Sequence, residues 1–273
     1  MAKKLLAFIF IGLLSASLIS FPEIKASQND LRYLTKVFDE VQTSKNIIYK
    51  SVEDRTGKIV DLSLDIYEPK NDTIDKRPLI VWIHGGGFRN GDKNNLALRC
   101  SEFAQMGYVT VTINYRLSRD YTNNIMDAIS DATEDARSAV DWLRKNASKY
   151  KIDTENIFVG GSSAGGITAL HLGYEDTKWD KSGIKGIIDL WGALFDLKVV
   201  DPGDPPVIII HGTEDKTVPF QMSLDLVKRL KANNIYYEFY PVKGVGHGVP
   251  PMKGHSYNYV EVVFMYYLLD YSH

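Results

Sequence analysis

The sequence predicts an α/β protein with a mostly parallel sheet of about eight strands and helices on both faces. First, apolar runs such as PLIVWI at residues 78–83 are continuous, which is typical of strands covered on both faces. Second, these runs alternate with stretches of helical period, such as residues 125–149. Third, 273 residues with 44% hydrophobic side chains are enough for one large core or two small ones.

The first elements of the predicted domain have two different periods. Residues 29–43 (NDLRYLTKVFDEVQT) have the period of a short amphipathic helix. Residues 46–52 and 60–67 alternate apolar and polar side chains on either side of a turn at residues 55–57. This alternation predicts an antiparallel hairpin at an edge of the sheet.

The remaining elements alternate between strand and helix. Strands are predicted at residues 78–83, 108–114, 156–159, 184–190, 207–210 and 235–240, and helices at residues 96–106, 125–149, 164–172, 220–233 and 257–269. The last helix contains VVFMYYLL, which is too short to span a bilayer and is expected to pack on the sheet. The sequence contains no internal repeat and no glycine/serine-rich linker, so one domain is predicted over residues 27–273.

Residues 1–26 have the layout of a secretory signal peptide. Lys3 and Lys4 precede an uncharged apolar stretch that contains LLAFIFIGLL. Small residues offer cleavage positions after Ser17 and after Ala26. The protein is therefore expected to be secreted or periplasmic, with no stable membrane span after cleavage. The alternative is an uncleaved N-terminal membrane anchor.

Charge and cysteine content exclude several classes of function. The chain has 32 basic and 34 acidic side chains and a formal net charge of −2, so no basic excess points to nucleic acid. Cys100 is the only cysteine, so neither an internal disulfide nor a multi-cysteine zinc site can form. No metal site and no organic cofactor are expected.

The strongest chemical signal is GSSAG at residues 161–165, directly after the apolar run IFV. It matches the pattern G-x-S-x-G, with Ser163 at the centre. Small residues are needed at both flanks because the chain turns sharply from strand to helix. The turn raises the Ser163 hydroxyl to the carboxyl edge of the sheet and puts the amide of Ala164 at a helix N-terminus, facing an anion. A serine- and glycine-rich turn that only closes a strand is the structural alternative.

A second signal is HGGGF at residues 84–88, after the strand PLIVWI. Three consecutive glycines allow the backbone to turn its N–H groups toward a substrate oxygen. A flexible glycine turn is the alternative. The presence of GSSAG favours the functional interpretation, because the two motifs would have to lie next to each other in space to form one site.

A serine nucleophile requires a histidine base and a carboxylate, which follow the serine in this motif order. His247, in the loop GVGHG after the last strand, is the expected base, and His255 is the alternative. The acid is expected in HGTEDKTVP, which follows the strand at residues 207–210. Asp215 is favoured because it lies nearer the turn into the next helix, and Glu214 is the alternative.

HGGGF, GSSAG, HGTEDKTVP and GVGHG, in this order and spacing, resemble the α/β-hydrolase fold. The resemblance covers roughly residues 45–270 and points to an esterase branch that includes hormone-sensitive-lipase-like carboxylesterases and bacterial feruloyl or acetyl-xylan esterases. The chain departs from that branch because residues 27–45 are short for a cap and residues 190–207 contain no large lid insertion. A minimal lid is therefore expected.

The resemblance also implies roles for individual residues. Ser163 would be the nucleophile, Asp215 the acid and His247 the base. The oxyanion hole would be formed by the amides of Gly86, Gly87 and Ala164. The implied activity is hydrolysis of carboxylic esters through an acyl-enzyme, without a metal or organic cofactor.

Substrate choice is weakly encoded. Phe88, Tyr115, Trp191 and Phe195 are candidates for an aromatic wall around the substrate, although aromatic side chains more often belong to a core. Secretion favours small-molecule esters or acyl groups on plant polysaccharide as substrates. The sequence does not indicate an oligomeric state.

Two alternative functions remain. A prolyl-oligopeptidase-like peptidase would use the same fold, but such domains commonly carry tyrosine after the serine, where this chain has Ala164, and usually come with a propeller domain. A non-catalytic binding module is disfavoured by the intact Ser163, Asp215 and His247 set.

Overall fold

A single sheet organises the protein. The computed structural model describes residues 31–118, 124–175, 178–248 and 258–270. The eight strands lie in the order β1-β2-β4-β3-β5-β6-β7-β8. Their bounds are Val41–Glu53 (β1), Ile59–Pro69 (β2), Arg77–Ile83 (β3), Val109–Ile113 (β4), Ile152–Ser162 (β5), Ile184–Leu190 (β6), Val207–Gly212 (β7) and Tyr237–Val242 (β8).

The direction of the strands agrees with the sequence analysis. The pairs β1–β2 and β2–β4 are antiparallel, which confirms the predicted hairpin at the edge. The other five pairs, from β4–β3 through β7–β8, are parallel. The predicted eight-stranded, mostly parallel sheet is therefore confirmed.

Helices cover both faces of the sheet. In the described residues the α-helices are Ala97–Gln105 (α1), Ile125–Lys145 (α2), Ala147–Tyr150 (α3), Ala164–Tyr174 (α4), Phe220–Ala232 (α5) and Asn258–Asp270 (α6). Side chains from α2, α4 and α5 belong to one hydrophobic cluster, and those from α1 and α6 belong to the other.

Strand β3 shows why its sequence is apolar without interruption. Leu79, Val81 and Ile83 belong to the first cluster, whereas Ile80 and Trp82 belong to the second. Successive side chains of a strand point to opposite faces, so a strand with helices on both sides buries every residue. All seven residues of β3 are buried.

The parallel strands bring the sequence motifs to one edge of the sheet. HGGGF follows β3, Ser163 follows β5, and the loops that carry Asp215 and His247 follow β7 and β8. In open α/β sheets ligands bind at the carboxyl ends of the strands. The fold therefore collects the predicted chemical groups on one side.

Two local expectations were wrong. The predicted helix at residues 29–43 is absent from residue 35 onward, and Val41 already begins β1. The amides of Val37 and Phe38 donate to the carbonyl of Gln105, which ties this segment to the end of α1. The predicted helix at residues 125–149 is divided into α2 and α3 at Asn146.

The predicted signal at residues 1–26 lies outside the described residues. Within the ranges given above, no helix combines the length and the apolar character needed to cross a membrane.

Candidate active site

The predicted nucleophile lies on a strained turn. Ser163 joins β5 to α4 with φ 54° and ψ −120°, a conformation that residues other than glycine rarely adopt. A Cβ atom at Gly161 would lie 2.4 Å from the carbonyl oxygen of Ile83, and one at Gly165 only 2.0 Å from it. Both flanking glycines are therefore required by close backbone packing against β3.

His247 approaches this serine from the loop after β8. Its Nε2 lies 2.8 Å from Oγ of Ser163. The loop is fixed to the one after β7, because the amide of Glu214 donates to the carbonyl of Val245 and that of Thr213 to the carbonyl of Val242. These backbone bonds explain how residues far apart in sequence come within reach of each other. The alternative base, His255, lies outside the described residues.

Asp215 holds the other side of His247. Its Oδ2 lies 2.7 Å from Nδ1 of His247, and its Oδ1 accepts hydrogen bonds from the amides of Thr217 and Val218. Burial would raise the pKa of Asp215, but the hydrogen bonds from His247, Val218 and Thr217 outweigh it and hold the pKa below its usual value. The side chain of the alternative acid, Glu214, belongs to an exposed residue.

These contacts fix the proton on His247. A carboxylate only accepts hydrogen bonds, so Nδ1 carries the proton and Nε2 is left to accept from the hydroxyl of Ser163. The side chain of His247 is 27% exposed, so a substrate can reach this pair from solvent.

Backbone amides lie beside the serine. Gly86 and Gly87 both have positive φ, 118° and 59°. The carbonyl of Gly86 accepts from the amides of Arg89 and Asn90, which fixes the turn. The amide of Ala164 belongs to the first residue of α4, where helical N–H groups have no intrahelical partner. Across the described ranges, no backbone acceptor is found for the amides of Gly86, Gly87 or Ala164.

The glycine loop packs directly on the serine turn. A Cβ atom at Gly85 would lie 2.8 Å from the carbonyl oxygen of Ser162 and 3.4 Å from Cβ of Ser163. The two motifs that the sequence analysis expected to meet are therefore in contact.

Phe88 and Tyr115 do not form an aromatic wall. Phe88 is 1% exposed and Tyr115 is 2% exposed, and both belong to the core. The ring of Tyr115 stacks on His84 with centroids 4.5 Å apart, and its hydroxyl donates to the carbonyl of His84. Burial lowers the pKa of His84, so this imidazole is neutral. These side chains support the glycine loop from below, and their assignment as substrate contacts was wrong.

Trp191 and Phe195 have the exposure that substrate contacts require. Trp191 follows β6 directly and is half-buried, with φ 46° and its amide bonded to the carbonyl of Ile210. Phe195 is 42% exposed. The amide of Ser163 donates to the carbonyl of Leu190, which brings the end of β6 next to the serine turn.

Two buried residues at this edge were not singled out as functional. Asp189, at the end of β6, is fully buried, and its Oδ1 accepts from the amide of Gly192. Burial raises its pKa to about 7, although that hydrogen bond lowers it. His211 is also fully buried, with Nε2 3.2 Å from Oδ2 of Asp215. The spacing of four residues between His211 and Asp215 was the available signal.

Two family models match adjacent parts of the chain. The model described as BD-FAE matches residues 64–193, which include the glycine loop and Ser163. The prolyl oligopeptidase family model matches residues 188–269, which include Asp215 and His247. Together they span every residue of the site described above.

Curated relatives with similar sequences are esterases by name. The chain is 36% identical over 118 residues to the para-nitrobenzyl esterase of Bacillus subtilis, covering 41% of this chain and 24% of that protein. It is 24% identical over 240 residues to esterase LipC of Mycobacterium tuberculosis, covering 70% of this chain and 58% of that protein. The chain thus spans less than two thirds of the length of either relative.

Solved structures with a similar fold include esterases. A thermophilic esterase from Thermogutta terrifontis aligns with a TM-score of 0.65 and 26% identity, covering 85% of this chain and 92% of that chain. The form of that esterase phosphorylated by paraoxon aligns with a TM-score of 0.65 and 26% identity, covering 86% and 95%. The arrangement of strands and helices is therefore shared with a known esterase.

Proposed function

We propose that this chain is a serine esterase of the α/β-hydrolase fold and cleaves carboxylic esters with Ser163, His247 and Asp215. One observation carries the proposal. Oγ of Ser163 lies 2.8 Å from Nε2 of His247, whose Nδ1 lies 2.7 Å from Oδ2 of Asp215, and the amide of the adjacent Ala164 has no backbone acceptor in the described ranges. A nucleophile, a base, an oriented acid and a site for a developing oxyanion are the parts that acyl transfer requires.

The first half of the reaction forms an acyl-enzyme. Oγ of Ser163 bonds to the ester carbonyl carbon while its proton passes to Nε2 of His247. Asp215 stabilises the imidazolium, since its lowered pKa keeps the carboxylate charged. The imidazolium then gives its proton to the leaving alcohol oxygen as the ester C–O bond breaks.

The second half releases the acid. Water bonds to the acyl carbon while His247 takes its proton. The bond to Oγ of Ser163 then breaks, and that oxygen recovers the proton from His247. In both halves the amides of Gly86, Gly87 and Ala164 are available to hold the carbonyl oxygen when it becomes negative, and losing one such donor typically costs about 10²–10³ in rate.

Replacement of the nucleophile tests this assignment. Ser163→Ala should abolish hydrolysis of p-nitrophenyl acetate and labelling by a fluorophosphonate probe, because the attacking oxygen is gone. Ser223→Ala, which removes a different buried hydroxyl, is the control and should keep both properties. Circular dichroism would show that both variants remain folded. Near-complete activity in Ser163→Ala would overturn the assignment.

Short acyl chains are the proposed substrate class. The supporting observations are the segment between β6 and β7, which is too short to hold a large lid, and the propionate-bound form of the Thermogutta terrifontis esterase, which is 25% identical to this chain. Trp191 and Phe195 are the proposed aromatic contacts. A panel of p-nitrophenyl esters should show kcat/KM highest for chains of two to four carbons and falling with length. A maximum at long chains would contradict this proposal.

Acetyl or feruloyl groups on plant polysaccharide are the proposed natural form of these esters. The proposal is supported by the resemblance of the motifs to esterases of that kind and by the sequence of residues 1–26, which has the layout of an export signal. Release of acetate or ferulate from acylated xylan tests the substrate. N-terminal sequencing of the exported protein tests the signal, with cleavage expected after Ser17 or Ala26. An enzyme that cleaves p-nitrophenyl acetate but releases nothing from xylan would contradict the polysaccharide assignment.

Peptide hydrolysis is the second candidate, supported by the prolyl oligopeptidase family match over residues 188–269. The residue after the nucleophile is Ala164, whereas peptidases resembling that family commonly have a tyrosine there. Turnover of matched ester and anilide substrates separates the two activities. We expect the ester to be cleaved at least a hundredfold faster than the anilide, and equal rates would favour the peptidase.

A further inference from the structure

We propose that His211 is a positioning residue that holds the carboxylate of Asp215 for His247. This inference rests on the proposed function, because it assigns a role within the same group of residues. His211 is the penultimate residue of β7 and has no exposed surface. It neither touches Ser163 nor reaches solvent, so its role would be exerted through Asp215.

Both oxygens of Asp215 are held, but in different ways. Oδ1 accepts from two backbone amides, those of Thr217 and Val218, at 2.8 and 3.0 Å. Oδ2 faces two imidazoles, Nδ1 of His247 at 2.7 Å and Nε2 of His211 at 3.2 Å. The backbone amides fix Oδ1 but leave the plane of the carboxylate free to swing about that atom. A second contact on Oδ2 removes this freedom.

The proton of His211 must lie on the nitrogen that faces Asp215. Nε2 lies 3.0 Å from the carbonyl oxygen of Val218, which only accepts hydrogen bonds, so Nε2 carries a proton. That N–H donates to the carbonyl, and Oδ2 of Asp215 lies 3.2 Å from the same nitrogen. Nδ1 lies 2.7 Å from Oγ of Ser223 and accepts from this hydroxyl.

His211 also remains uncharged. Its pKa is lowered, mainly by burial, although the neighbouring Val218 carbonyl and Asp215 carboxylate favour the charged form. A neutral donor positions Oδ2 without neutralising the negative charge that His247 requires during the reaction. A cation at this position would instead compete with the imidazolium of His247 for the same oxygen.

Two substitutions separate the contacts of His211. Gln places its side-chain amide near the position of Nε2 and can still donate to Asp215, whereas Asn reaches only the position of Nδ1 near Ser223. With p-nitrophenyl acetate, His211→Asn should lower kcat about tenfold with KM within a factor of two, since it removes one donor to a charged acceptor. His211→Gln should stay within about threefold of the wild-type kcat.

Ser223→Ala is the matched control for packing. It leaves Nδ1 of His211 without its donor and should lower the melting temperature, but it keeps the donor to Asp215 and therefore kcat. If His211→Asn retains the wild-type kcat, or if Ser223→Ala and His211→Gln lose as much activity as His211→Asn, the proposal is wrong.

A measurement on the unaltered protein covers the case in which His211→Asn does not fold. Histidine ¹⁵N NMR at neutral pH should show His211 as the neutral tautomer with the proton on Nε2, and the opposite tautomer would overturn the proposal. This result does not depend on catalysis. Absence of ester hydrolysis by the wild-type protein would defeat the proposed function, whereas the tautomer of His211 would still be measured independently.

Discussion

At the scale of single residues, the glycine loop after β3 is tightly constrained. Gly86 has φ 118°, and a Cβ atom there would lie 2.0 Å from the carbonyl oxygen of Asn90. Gly203 has a similar φ of 92°, but a Cβ atom at that position meets nothing within 4 Å. Alanine at Gly203 would therefore introduce backbone strain alone, whereas alanine at Gly86 would introduce strain and also displace the loop.

Gly86→Ala should lower kcat for ester hydrolysis by about 10²–10³, because relief of the clash with Asn90 would move an amide out of the proposed oxyanion hole. Gly203→Ala should lower the melting temperature but leave kcat within about twofold. Steady-state kinetics and thermal melts of both variants test this expectation. Equal kcat values for the two variants would contradict the role given to the Gly86 loop.

The failure of the sequence analysis at Phe88 and Tyr115 is also a matter of single residues. Phe88 itself has a positive φ of 62°, which turns its side chain into the core instead of toward the open edge. Tyr115 lies two residues beyond β4 and is drawn inward by its stacking on His84. Motif spacing locates such residues near the site, but the backbone dihedral angles decide which way each side chain points.

At the scale of elements, the contact between β6 and α4 contains a buried acid. Asp189 ends up so close to α4 that a Cβ atom at Gly166 would lie 2.6 Å from its Oδ1. The pKa of Asp189 is about 7, against an ordinary value of 3.8, so the folded state binds its proton more tightly than the unfolded chain does. Its contribution to stability is therefore greatest below about pH 4 and is lost as pH rises toward 7.

Asp189→Asn should remove this dependence while keeping an oxygen that accepts from the amide of Gly192. The difference in melting temperature, variant minus wild type, should increase between pH 4 and pH 7 and then remain constant. Asn in place of the exposed Asp201 is the control and should show no such trend. A difference for Asp189→Asn that is constant with pH would contradict the buried, proton-binding state.

At the scale of elements, helical period alone does not determine the conformation of the segment before β1. Tyr33, Leu34 and Val41 pack against the second hydrophobic cluster without a continued helix, because residues 33–38 bind along the end of α1 through backbone hydrogen bonds to Gln105 and Met106. Strand β1, which begins at Val41, then pairs with β2. Tertiary hydrogen bonds of this kind are not encoded in local period, and they prevailed over a short and weakly helical sequence.

At the scale of the whole molecule, the sheet could be predicted because helices on both faces demand uninterrupted apolar strands. The same reasoning placed Ser163, Asp215 and His247 at one edge, and the structure brings these three side chains together. The strand order β4-β3-β5 could not be deduced, since apolar content does not say which strand a crossover returns to. His211 was not assigned a role because its spacing of four residues from Asp215 does not by itself show that the two side chains face each other.

The position of β8 has a consequence for how the protein fails on heating. Ser163 follows β5 in the middle of the sheet, whereas His247 follows β8. Among the described residues, β8 lies at the edge, pairs only with β7 and has no fully buried residue. Edge elements with few buried contacts open at lower free energy than the core does. Loss of esterase activity on heating should therefore precede loss of tryptophan fluorescence by several degrees, and coincident midpoints would contradict this expectation. The loop that carries His247 would open while the turn that carries Ser163 is still folded. Inactivation would therefore begin as a reversible separation of these two segments, with most of the fold intact.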